Sequence, residues 1–160
     1  MRSKALPPAS AAICVAALFA TAQPARADTL PAGVGCPFEL QIDTAGGNLQ
    51  TKEFYDRNDE LVRIISAGKG VLLTYTNTEN GKSISFNTSG SVSKTTVNPD
   101  GTSTVRASGH NGLIFFPSDV PAGPSTTQYT GTVVYNIDIN GTWTLVSTSG
   151  PAVDVCAALS

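Results

Sequence analysis

Turn-forming residues punctuate this chain so regularly from Ala45 onward that they leave little room for a long helix. Short apolar or alternating runs recur about every eight to twelve residues, the spacing of an antiparallel all-β domain. No stretch carries apolar residues at helical spacing over about three turns. The turns can be assigned one by one. Ala45-Gly46-Gly47-Asn48 separates 38–43 from 49–55, and Arg57-Asn58-Asp59-Glu60 leads into 61–66. Gly68-Lys69-Gly70 leads into 71–77, and Asn80-Gly81 supplies the positive φ of a tight hairpin into 83–88. In Asn98-Pro99-Asp100-Gly101, Pro presets φ and Gly takes the left-handed position of a hairpin joining 91–97 to 102–108. Asn140-Gly141 closes another, between 128–139 and 142–147.

Alternation within the runs assigns their faces. Val133, Tyr135, Ile137 and Ile139 share one face of the longest run, and Val134, Asn136, Asp138 and Asn140 share the other. Ile84 and Phe86 alternate with Ser83, Ser85 and Asn87, and Trp143 and Leu145 alternate with Thr142 and Thr144. Such half-buried strands suit a sheet with one wet face. The expectation is an all-β, antiparallel up-and-down meander of about ten strands. Its edges need protection, either in a two-sheet sandwich or by closure into a barrel. The scarcity of long crossovers favours the barrel. Segment 117–127 breaks the pattern. Pro117, Pro121, Pro124 and Gly123 exclude an interior strand, and the segment reads as an exposed loop of about eleven residues.

The first 27 residues read as a secretory signal peptide. Arg2 and Lys4 precede an apolar run over 11–20, and Ala25-Arg26-Ala27 places small residues at the two positions a signal peptidase reads. The run is too short to span a bilayer, which needs about 20 apolar residues. Any ordered helix is expected only in this leader, at 5–22. Cleavage after Ala27 leaves a lead-in at 28–35 and a single β domain at 36–160. Cleavage after Ala22 would set Gln23-Pro24 at the new N-terminus, where Pro hinders the peptidase. The protein is therefore expected to be secreted and extracellular.

Cys14 leaves with the leader, and Ile13 before it does not suit a lipoprotein acceptor. Cys36 and Cys156 remain near the two ends, and in an exported chain they read as one disulfide. Residues 28–160 hold seven Lys and Arg against twelve Asp and Glu, a net charge of −5. The seven are scattered in sequence from Lys52 to Arg106 without runs. No nucleic-acid partner is expected without a basic stripe, no anionic membrane is expected for an acidic chain, and a monomer is expected.

No catalytic constellation emerges, and no cofactor or metal is expected. His110 is the single histidine, and Gly109-His110-Asn111-Gly112 reads as a turn. Gly81-Lys82-Ser83 resembles the end of a phosphate loop, but Thr76 stands where that motif needs Gly. Asp56, Asp59 and Glu60 cluster in one turn and Asp138 with Asn140 in another, neither with the spacing of a calcium loop. Asn87-Thr88-Ser89 and Asn140-Gly141-Thr142 are glycosylation sequons. Trp143, Tyr75, Tyr129 and Tyr135 read as core aromatics, with sugar stacking or a pocket lining as the alternative.

Four segments then combine into a resemblance: GKSISFNTSG (81–90), NPDGTSTV (98–105), LIFFPSDVP (113–121) and DVCAALS (154–160). Together they resemble a set of small exported actinobacterial β-proteins with a cysteine near each end of the mature chain. The resemblance implies export and a β fold, and it brings no activity and no site residues.

The functional expectation is a secreted, non-enzymatic binding or surface-interaction module, meeting an extracellular protein or a small ligand. Two other classes stand beside it. One is a protease inhibitor that presents loop 117–127, with Asp119 and Val120 as contact residues. The other is a secreted hydrolase whose site is assembled from distant residues.

Overall fold

The structure, a computed structural model, describes residues 25–160. The helix expected at 5–22, and most of the leader, lie outside the described residues. Eleven strands and one helix follow in order: β1 (Arg26–Leu30), β2 (Leu40–Ala45), β3 (Asn48–Tyr55), β4 (Leu61–Lys69), β5 (Leu72–Asn77), β6 (Ser83–Asn87), β7 (Val92–Val97), β8 (Ser103–Phe115), β9 (Ser125–Ile137), β10 (Trp143–Thr148), β11 (Ala152–Asp154) and α1 (Val155–Leu159). The all-β reading holds. No helix among the described residues is long and apolar enough to cross a membrane.

The architecture is a sandwich of two antiparallel sheets, not the closed barrel that the short links favoured. The small sheet runs β1-β2-β5-β6; the large one runs β10-β9-β8-β7-β4-β3, with β11 also paired to β9. The chain changes sheet after β2, after β4 and after β6. Each change is made by a short corner rather than a long crossover, so scarcity of crossovers did not mean closure. Gly46 and Gly47 make the first corner, Gly70 and Val71 the second, and 88–91 the third. The second and third are tied together. Thr88 Oγ1 accepts from Val71 N at 2.9 Å and donates to Val71 O at 3.0 Å.

β8 and β9 form the backbone of the molecule and pair over their full length, Ser103↔Ile137 to Phe115↔Ser125. Both bend at Gly109 and Gly131, which sit opposite each other with φ of 90° and 128°. A side chain at either glycine would run into neighbouring backbone, at Gly90 O for Gly109 and at Ser149 O for Gly131. The bend lets Val105 and Phe115, ten residues apart on one strand face, join one core with Leu113, Tyr129, Val133 and Tyr135. Tyr135 stacks on Trp143 with ring centroids 4.6 Å apart. A second core lies under the small sheet, built from Phe38, Leu40 and Tyr75 with Val155, Cys156 and Leu159 of α1.

Four local expectations differ from the structure. Gly109-His110-Asn111-Gly112 is not a turn but the middle of β8. The proline segment ends earlier than expected, because residues 125–127 open β9, with Thr126 fully buried and donating to Gly35 O at 2.8 Å. The C-terminal residues 155–159 form a short helix outside the leader, capped where Asp154 accepts from Ala157 N at 3.0 Å. A five-residue helix is too brief to display helical periodicity. The N-terminal lead-in is partly a strand: β1 begins at Arg26, so the boundary expected after Ala27 falls inside it.

Candidate functional site

Cys36 and Cys156 are bonded, with Cα atoms 5.5 Å apart, tying the segment before β2 to α1. The other two residues singled out for contact behave differently from each other. Asp119 is only 5% exposed. Its carboxylate accepts from Phe116 N at 2.7 Å and from Trp143 N at 2.9 Å. Val120 is 53% exposed, but its backbone is held on the free edge of β10. Val120 N donates to Trp143 O at 2.8 Å and Leu145 N donates to Val120 O at 2.7 Å. Residues 116–124 are thus clamped along β10, and Asp119 cannot enter a protease pocket without leaving its clamp.

Among the described residues, His110 and the turn carboxylates do not come together. Ser91 reaches His110, yet its hydroxyl engages the histidine's backbone: it donates to His110 O at 2.5 Å and accepts from His110 N at 3.0 Å. The imidazole Nδ1 is buried and has no partner among the described residues, and the amide of Gln128 is in the same position. No three His, Cys, Asp or Glu side chains converge among the described residues. The turn carboxylates serve their own turns. Asp56 Oδ1 accepts from Asn58 N and Glu60 N at 2.7 and 3.0 Å. Asp138 Oδ1 accepts from Asn140 N and Thr142 N at 2.8 and 2.9 Å. Hydrogen bonds from Thr142 and Asn140 hold Asp138 below the usual carboxylate range, and those from Thr102 do the same for Asp100. Lys82 lies in the β5–β6 hairpin against the C-terminal Ser160. Both sequon asparagines, Asn87 and Asn140, are exposed.

What sequence reading missed is a basic face. The register places Lys52 opposite Ile65, Ile65 opposite Lys94, and Lys94 opposite Arg106. Side chains of a cross-strand row share a face, so three cations lie in one row across four strands, β3 to β8. Arg63 is two residues from Ile65 and so on the same face, opposite Phe54 and Thr96. The Lys52 ammonium sits 5.1 Å from the centroid of Phe54, confirming their shared side. All four cations are exposed. None is within ion-pair distance of a carboxylate among the described residues. Between and beside them stand neutral groups: Gln50, Thr96, Thr104, Ser108 and Asn136. Acidic residues border the face only at one end, in the hairpin tips that hold Asp56, Asp59, Glu60, Asp100 and Asp138.

This part of the large sheet is also open. No residue of β3, β4 or β7 is buried. The four cations stand apart in sequence because β5 and β6 intervene and belong to the other sheet. Strand alternation was the available signal, but only the pairing of β4 with β7 brings the two halves together.

No protein-family model, no curated protein and no solved structure matches the chain.

Proposed function

We propose that this chain is an exported, non-enzymatic binding module that meets its partner through the open half of the large sheet. The observation that carries the reading is the exposed face of Lys52, Arg63, Lys94 and Arg106, without a paired carboxylate, on strands that contribute nothing buried. Ordering such strands costs conformational entropy, and their side chains are at most half-buried, so less core burial stands against that cost than in β8 and β9. A ligand surface gives that ordering a use. The disulfide suits an oxidising compartment, and kinship with small exported actinobacterial proteins belongs to the same proposal. The clamp on Asp119 and the backbone role of Ser91 weigh against the inhibitor and hydrolase readings.

The test uses oxidised protein of residues 25–160, which carries every described strand and both cores. Native mass spectrometry against a panel of extracellular polymers and small molecules is expected to find a binder. Product analysis of the same mixtures is expected to find no turnover. Turnover that disappears in His110→Ala would overturn the reading.

A further inference from the structure

We infer that the ligand of the basic face is a linear anionic polysaccharide, lying across the strands along the row Lys52, Ile65, Lys94 and Arg106. The inference rests on the binding-module reading and names its ligand class. The row spans three inter-strand spacings, about 14 Å, so one extended chain can meet all three cations. It lies one side-chain pair farther from the acidic hairpin tips than the row of Phe54, Arg63 and Thr96. An anionic chain therefore crosses the strands at the level of Lys94 rather than running along them into the tips.

Two features select a sugar polymer among anions. Beside the cations, along with Ile65, Val92 and Val134, stand hydroxyls and amides from Gln50, Thr96, Thr104, Ser108 and Asn136, which can bond sugar hydroxyls as donors and acceptors. The face has one aromatic ring, Phe54, already covered by Lys52. It thus lacks the stacking platform that single-stranded nucleic acid uses. A broad anionic membrane surface laid on the whole face would meet the acidic hairpin tips of Asp56, Asp59, Glu60, Asp100 and Asp138, which a single chain crossing at the level of Lys94 avoids. The face also has a cost that a ligand relieves: Lys94 and Arg106 are directly opposite, and like charges in that position repel.

Affinity electrophoresis of the oxidised protein tests this, with polygalacturonate and dextran sulfate as charged probes and dextran as the neutral one. Retardation by a charged probe is expected, weakening as salt rises. The triple variant Lys52→Gln, Lys94→Gln, Arg106→Gln is expected to lose at least about tenfold in affinity, since each exposed cation adds a screened attraction. Arg57→Gln and Lys82→Gln, outside the face, are expected to change nothing. The triple variant is expected to keep the parent's strand signal in circular dichroism, and the single variant Lys94→Gln to unfold at equal or higher urea, which together separate lost binding from lost folding. The inference is overturned if neither charged probe binds, if the triple variant binds as the parent does, or if an oligonucleotide or an anionic vesicle binds more tightly than either polysaccharide. Binding of neutral dextran alone would overturn the inference while leaving the module reading standing. Turnover of a probe would overturn the module reading itself.

Discussion

Asp119 and Tyr75 show how far a residue's role depends on what surrounds it. In sequence, Asp119 sits among prolines and looks like a surface contact; in the fold it holds two backbone N–H groups, of Phe116 and Trp143. Hydrogen bonds to a charged group contribute about 1.5–3 kcal/mol each, and their loss leaves half-buried donors unpaired. Asp119→Ala is expected to cost roughly 3 kcal/mol in urea unfolding and to open residues 116–124 to proteolysis. A variant as stable and protease-resistant as the parent would remove the clamp from the account. Tyr75 is buried in the core under the small sheet, and burial pushes its hydroxyl from 10.0 up to about 12. Below pH 10 the phenol is neutral in folded and unfolded chains, and its contribution to stability is fully present. Above that, the unfolded chain releases the proton first, so stability falls as pH rises toward about 12. Two pK units correspond to roughly 3 kcal/mol. Tyr75→Phe is expected to flatten this alkaline fall, leaving the share from Tyr135, whose hydroxyl burial also pushes up. Parallel stability profiles for parent and variant between pH 9 and 12 would count against it.

The elements were legible where local chemistry writes their ends. The runs at 49–55, 61–66 and 91–97 correspond to β3, β4 and β7, and the Asn-Gly and Pro-Asp-Gly turns do reverse the chain. The misread stretch, Gly109 to Gly112, has a physical explanation. A crease within a strand and a hairpin turn both need a positive-φ residue, and glycine serves both. Only the partner strand distinguishes them, here by setting Gly131 opposite Gly109. Gly131→Ala would place a Cβ against Ser149 O at a φ of 128°. A backbone penalty of about 1–2 kcal/mol and overpacking of about 1–3 kcal/mol together predict a loss of roughly 2–5 kcal/mol. Gly81→Ala, in a turn with open space around it, is expected to show only the first part. Equal unfolding midpoints for the two variants would mean that the crease is not a constraint.

For the whole molecule, the Cys36–Cys156 bond closes a loop of 120 residues around both sheets. The chain-entropy argument makes such a crosslink worth about 4–5 kcal/mol. Cys36→Ala with Cys156→Ala is expected to keep the strand signal in circular dichroism and to unfold at clearly lower urea. Unchanged midpoints with and without reductant would show that the ends are held without it. The disulfide and the all-β class were legible from two cysteines and a series of turns. Which strands form which sheet was not, nor was the short helix after Asp154. The basic face was hidden for the same reason. Lys52 and Arg63 precede β5 and β6, Lys94 and Arg106 follow them, and the four meet only because β7 pairs with β4. The sequence by itself determined where the chain reverses, because Gly, Asn and Pro act on the backbone dihedrals of their own neighbourhood. Tertiary structure decided which reversals stay within a sheet and which turn a corner, because that choice depends on which apolar faces can be buried against each other.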